Sequence, residues 1–280
     1  MRHAKLFAAE FIGTFLLLVV GLGIGFSEAG SVLGIALALG FTVMVVSALV
    51  GPVSGAHINP AVTIGLALAR KVDRDKVPTY LVAQFLGGVA GASVAYVIAR
   101  GQNGGFSPNE SNFGISGWES VGGYDWLSMM ITVSLLTAVV VAIYVATRSR
   151  DVSGPHAAMA AGLAYTVTTI VGVGVVGVSV NPALSFGTAV FAGGDAMTEV
   201  WLVMLFAVVG AVLGVLGFLA IDDASLEDTM LGDSALARKA RDIADTAFNK
   251  TASTVAGAAG KVGDVAGSVK DKVKGDDDDD

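Results

Sequence analysis

The stretch Ser54-Gly55-Ala56-His57-Ile58-Asn59-Pro60-Ala61-Val62-Thr63 is answered later in the chain by Gly177-Val178-Ser179-Val180-Asn181-Pro182-Ala183-Leu184-Ser185-Phe186-Gly187. Asn-Pro-Ala thus occurs twice, 122 positions apart (59 to 181). Asparagine is a preferred N-cap, and proline is tolerated at the first helical position, where its missing N–H would be unpaired anyway. Each copy therefore predicts a helix start. From Pro60 to Ala69, and from Pro182 to Ala192, a helix rises only about 15 Å, roughly half the thickness of a hydrocarbon core. Two such half-helices meeting end to end make one span.

Around these segments the chain is apolar: 54% of its 280 residues are hydrophobic and 15% charged. Its mean hydropathy is +0.71. Spans of about twenty residues can be drawn at Phe7–Phe26, Val32–Gly51, Pro78–Ala99, Trp126–Thr147, Ala157–Val176 and Trp201–Ile221. A polytopic, all-α membrane protein follows. The first span is preceded by Arg2 and Lys5, but it is too long for a secretory signal and a second span follows at once, so it is expected to be retained. With the N-terminus in the cytoplasm, the inner loops before the tail hold Arg2, Lys5, Arg70, Lys71, Arg74, Lys76, Arg148 and Arg150, and the outer loops only Arg100. The positive-inside rule then places both termini in the cytoplasm.

Each half of the chain carries three full spans with one half-span between its second and third. An odd number of crossings inverts the second copy, so the repeats, about 5–99 and 125–221, form an inverted pair with interrupted helices at the midplane, a recurrent transport architecture. The first half-helix is expected to enter from the cytoplasmic side and the second from the opposite side.

The two quoted stretches, together with Ala9-Glu10-Phe11-Ile12-Gly13-Thr14-Phe15 in the first span, resemble the aquaporin or major intrinsic protein family over roughly residues 5 to 221. The resemblance implies six transmembrane helices plus two re-entrant half-helices in a channel domain of residues 1–221. It also implies a homotetramer in the cell membrane, each protomer with its own pore.

The chemistry of such a pore can be argued from the residues. A solute crossing an apolar tube loses hydrogen bonds that the wall must replace. Asn59 and Asn181, where the half-helices meet, can each offer an amide N–H to a passing oxygen. The carbonyls of Gly55, Ala56, His57 and Ile58, and those from Gly177 through Ser179 and Val180, can form an acceptor ladder in irregular backbone facing a watery path. Each half-helix also directs about half a positive charge at the midplane, which disfavours cations and hydronium. Capping alone would explain a lone Asn-Pro; two copies in apolar segments favour capping and pore lining together.

By resemblance, an arginine directly after the second tripeptide forms part of an outer constriction, and this chain has Leu184 there. Spacing from the motifs puts Leu39, Thr169 and Val178 at the other three positions. Such a ring is wider and more apolar than the family pattern and leans toward larger or less polar solutes. The other reading of Leu184 is that a neighbouring residue or a rearranged loop closes the pore. Ser185 stands where glycerol facilitators commonly have aspartate, which leans toward water.

Glu10 lies inside a span and, by resemblance, anchors the backbone of a pore loop rather than relaying protons. Its expected counterpart is absent, with Val133 at the matching place. His57 offers a carbonyl or hydrogen bond to the pore wall, with gating by protonation the sharper alternative. His156 reads as interfacial. Gly87, Gly88, Gly91, Gly210, Gly214 and Gly217 predict close helix packing. The outer loop from Arg100 to Tyr124, with seven glycines, reads as an ordered or a mobile cap. Residues 222–280 form an acidic cytoplasmic tail ending in Asp276–Asp280. Disorder is the main expectation there, with amphipathic helix at Leu236–Phe248 and Val262–Val273 as the alternative.

The sequence contains no cysteine, no phosphate loop and no His-Glu-x-x-His, so neither an enzyme nor a metal, cofactor or nucleic-acid function is expected. Three functions compete: a passive channel for water and small neutral solutes such as glycerol, urea or ammonia; an ion-coupled transporter; and a closed-pore structural protein. Coupling ordinarily needs ionisable groups at midplane, and the shortage beyond Glu10 and His57 favours the channel.

Overall fold

Among the described residues eight α-helices follow one another: α1 (Arg2–Gly23), α2 (Val32–Ser54), α3 (Pro60–Leu68), α4 (Val77–Ala99), α5 (Trp126–Ser149), α6 (Gly154–Val176), α7 (Pro182–Ala192) and α8 (Gly194–Leu219). The computed structural model describes residues 2–26, 31–103, 105–108, 113–119, 121, 123–177 and 180–233. Six of the helices are long and apolar enough to cross a membrane, and α3 and α7 are the short ones. The half-helices match their expected extents to within a residue. By contrast α8 begins well before Trp201, because Asp195 and Glu199 interrupt the apolar window without interrupting the helix.

The halves are built alike. α1 packs on α4, α5 on α8, and α2 on α6, while α3 lies against α8, α5 and α4, and α7 against α4 and α8. Close approach depends on glycines that repeat with a shift of 123 places (87 to 210, 91 to 214). A Cβ on Gly87 or Gly91 would lie 2.5 or 2.6 Å from the carbonyl oxygen of Phe11 or Phe15, and one on Gly210 or Gly214 would lie 2.5 or 2.6 Å from that of Ser134 or Ala138. At the α2–α6 crossing, Gly40 and Gly162 each face the other's carbonyl in the same way. Gly217 was expected to pack likewise, yet a Cβ there would meet nothing within 4 Å.

Large apolar side chains cover the outside, with Val97 70%, Val45 68% and Leu49 61% exposed. Water would penalise such a surface; lipid does not. The chain divides into Met1–Met230 and Leu231–Asp280. The first unit outruns the compositional boundary at 221 because Arg150 pairs with Asp222 at 3.0 Å, Arg70 donates to the carbonyl of Glu227, and the N–H of Met230 to that of Leu68. Of the second unit, one 3-10 turn (Leu231–Asp233) is described. The two stretches of the tail read as amphipathic lie outside the described residues.

Candidate functional site

Both tripeptides cap helices, and the caps touch. The Oδ1 of Asn59 accepts the N–H of Ala61 at 2.8 Å, and that of Asn181 accepts the N–H of Ala183 at 3.0 Å, with Pro60 and Pro182 in the first turn. The Asn181 Nδ2 donates to the carbonyl of Ile58 at 2.8 Å, and the Asn59 Nδ2 lies 3.5 Å from that of Val180. Each asparagine thus reaches into the loop that leads to the other. The two positive helix ends converge there.

The loop before the first cap is held in an unusual shape. Gly55, Ala56 and Ile58 have φ of 86°, 49° and 45°, a left-handed region that a β-branched residue such as Ile58 rarely adopts. Glu10 on α1 holds it: its Oε1 accepts the N–H of His57 at 3.0 Å, and its Oε2 the N–H of Ile58 and the Nε2 of Gln84, both at 2.7 Å. Such charge-assisted bonds are the strong kind. The ring of His57 is buried, stacked on Tyr80 with its Nδ1 3.1 Å from Thr63 Oγ1.

Where the donors and acceptors point differs from the expectation of an open ladder. Tyr80 donates its hydroxyl to the carbonyl of Ser54 (2.6 Å), Arg148 to that of Gly55 (2.5 Å) and Tyr144 to that of Ala56 (3.2 Å). With Asn181 on Ile58, three of the four carbonyls expected in the ladder, those of Gly55, Ala56 and Ile58, accept from protein donors, as does that of Ser54 at the end of α2. The Asn59 amide, expected to face a solute, donates to the hydroxyl of Tyr165 at 2.8 Å. Both asparagines have no exposed surface. The reason is general: a buried polar group left unpaired is costly, so these groups find partners within the protein.

A cavity of about 610 Å³ opens between the ends of α2, α5 and α6, lined among others by Ser47, Gly51, Gly55, Tyr144, Arg148 and Ala161. Arg148 lies 4.9 Å over the Tyr144 ring and forms no ion pair with any described residue. On α6 the lining residues Ala158 and Ala161 continue at helical spacing to Tyr165 and then Thr169.

Of the expected outer constriction, Leu39 and Leu184 are 1% exposed and Thr169 is 6% exposed. Leu39 lies over Gly21, where a Cβ would come within 2.5 Å of its Cδ2. Val178 and Ser179 lie outside the described residues. The loop before the second cap is tethered by a different segment. Ser116 bridges to Gly177, and the N–H of Gly117 donates to the carbonyl of Val176. Ser185 donates to the hydroxyl of Ser116, and Thr188 to the carbonyl of Gly114. Glu199 on α8 accepts the N–H groups of Trp118 (2.8 Å) and Glu119 (3.2 Å). In its described part the outer loop is thus tied to α7 and α8, with Ile115 packed against Ala189, Ala196 and Val200.

Sequence reading missed Tyr165, Arg148, Gln84 and Glu199 as members of this site. A carboxylate abutting the last apolar span was the one available signal, and the span boundary at Trp201 hid it. Tyrosines and a loop arginine in an apolar chain carry no spacing signal.

A sequence model of a family described as "Major intrinsic protein" matches residues 1–218. Among solved structures, the X-ray structure of the aquaglyceroporin from Plasmodium falciparum is similar, with a TM-score of 0.66 and 24% sequence identity, over 77% of this chain and 95% of that one. At that identity the likeness concerns the fold.

Proposed function

This chain belongs to the major intrinsic protein family, and from that premise we propose that it is a passive channel carrying water and small neutral solutes, glycerol, urea or ammonia among them, while rejecting cations and protons. A multi-pass membrane channel for water or small solutes is what the family and the six apolar helices support. The name of the similar solved structure, an aquaglyceroporin, supports including glycerol.

One observation carries the reading: two half-helices meet N-terminus to N-terminus at Asn59 and Asn181, each asparagine capping its own helix through Oδ1 and keeping its Nδ2 for an acceptor. An oxygen-bearing neutral solute can take such a donor. A cation meets two helix ends equivalent to about half a positive charge each. With Leu184 in place of an arginine, that rejection rests mainly on the half-helix dipoles. In this reading Glu10 is the structural anchor of the first pore loop, and Leu39, Thr169, Val178 and Leu184 form an apolar outer constriction. The face bearing Arg70, Arg148 and Arg150 is cytoplasmic by the positive-inside rule, and the protomers assemble as a homotetramer.

Stopped-flow shrinkage of proteoliposomes tests the proposal. Fast flux of water and glycerol, independent of any ion gradient, is the expected result. Ion-dependent uptake would make the protein a carrier, and absence of flux would leave a structural role. Asn59→Asp places negative charge at the dipole focus, so cation leak should rise severalfold; an unchanged leak would refute the dipole account of selectivity.

A further inference from the structure

Resting on the channel reading, we propose that Tyr165 is the specificity-determining residue of the pathway: its phenol sits in the place of the permeating oxygen on Asn59, and passage requires the ring to swing aside for a solute that can take over its hydrogen bond.

Three observations place it there. The Tyr165 hydroxyl accepts the Asn59 Nδ2 at 2.8 Å, the geometry of a water or alcohol oxygen on an amide donor. Along α6, Ala158 and Ala161 line the cavity, Tyr165 follows one turn above Ala161, and Thr169, at the expected outer constriction, follows one turn above Tyr165. The ring therefore stands on the face that leads from the cavity toward the outer half. Finally, Tyr165 is 2% exposed and both asparagines are fully covered, and the cavity's lining on α6 runs no further than Ala161, one turn before the ring.

The symmetry of the fold sharpens the point. Shifting by 122 places, as from Asn59 to Asn181, pairs Tyr165 with Val43 on α2, which is also fully buried. A β-branched valine has no polar tip and no reach to an asparagine. Tyrosine has both, and its hydroxyl holds the Asn59 amide, a donor that the channel reading offers to an entering solute. The latch is thus selective by chemistry: a solute that accepts a hydrogen bond from an amide replaces the phenol at little cost, and one that does not leaves Asn59 unpaired in an apolar setting.

The chain has no cysteine, which makes the test direct. Wild type, Tyr165→Phe, Tyr165→Ala and Tyr165→Cys are reconstituted, with circular dichroism and thermal unfolding as folding controls, and water and glycerol fluxes are measured. Tyr165→Phe keeps the ring and loses the latch, so water flux per protomer should rise about fivefold, the weight of one net hydrogen bond. Tyr165→Ala should rise further and gain more for glycerol than for water. Tyr165→Cys should conduct, and a small water-soluble methanethiosulfonate reagent should close it again.

Wild-type flux equal to that of folded Tyr165→Phe and Tyr165→Ala would overturn this inference and leave the channel standing. Tyr165→Cys flux that ignores the reagent would overturn it also, because the side chain would then not face the path. Lack of flux in every folded variant would overturn both. Should Tyr165→Ala fail to fold, Tyr165→Phe and Tyr165→Cys decide alone.

Discussion

The first pore loop is held by a buried carboxylate from its own half, whereas the second is held through a strap. Glu10 on α1 reaches the N–H groups of His57 and Ile58 directly, next to Asn59. At the matching place on α5 stands Val133, buried and unable to accept anything. Glu199 on α8 instead binds Trp118 and Glu119, and the strap that contains them reaches the second loop through Ser116 and Gly177. Two frames packed through matching glycines thus secure equivalent tips by different chemistry. Helix packing must be repeated for the inverted architecture to close, while loop anchoring only has to deliver paired backbone groups.

The largest effect that could break this comparison is removal of the two carboxylates. Glu10→Ala strands the backbone donors of His57 and Ile58 in a dry interior, at roughly 1–3 kcal/mol each, while Gln84 keeps Thr63 as an acceptor, so a loss of about 2–6 kcal/mol and of flux is expected. Glu199→Ala should cost only about 1–2 kcal/mol, since its two partners are only partly buried and water can replace the bond. Thermal unfolding in detergent measures both. Equal losses would mean that the strap is as essential to the frame as the direct clamp.

Glycine gives the next test. Gly55 and Gly177 occupy matching places and have nearly the same φ, 86° and 84°. Their ψ values are 1° and −161°. A Cβ on Gly55 would lie 3.3 Å from a terminal nitrogen of the Arg148 side chain, which can give way; one on Gly177 would lie 2.0 Å from the backbone oxygen of Ile115, which cannot. The Gly177 conformation is moreover essentially reserved for glycine. Gly55→Ala should therefore cost about 1–2 kcal/mol, and Gly177→Ala about 3 kcal/mol or more with release of the strap, visible as faster amide exchange at residues 113–119. A similar cost at both sites would show that the strap does not bear on the second loop.

These contrasts also mark what the sequence could disclose. The half-helices were legible because Asn-Pro is both a cap and a break, so Pro60 and Pro182 fixed two helix starts to the residue. The six spans were legible because lipid demands long apolar runs, and the glycine pairs because close packing of α1 on α4 and of α5 on α8 leaves no room for a Cβ. What escaped was contact made by lone side chains across long separations, such as Tyr165 with Asn59, Arg148 with Gly55 and Glu199 with Trp118. No periodicity encodes those meetings. They depend on how far a side chain reaches once the helices are in place, which also explains why the carbonyls of Gly55, Ala56 and Ile58, free acceptors when the loop is read alone, are met by protein donors.

The smallest expected effect separates two serines at matching helix starts, Ser31 before α2 and Ser153 before α6. The Oγ of Ser31 accepts the N–H of Gly34 at 3.1 Å, so it caps α2. The Oγ of Ser153 makes no such cap and lies 2.6 Å from Nδ1 of His156 on the exposed surface. Replacing a functional cap by alanine costs about 1 kcal/mol, while an exposed side-chain pair contributes little because water competes for both groups. Ser31→Ala should therefore lower the unfolding midpoint measurably, and Ser153→Ala should leave it unchanged within error. If Ser153→Ala proved the more damaging, its bond to His156 would have to hold the start of α6, the helix that carries Tyr165, and the two halves would differ in a third anchoring device.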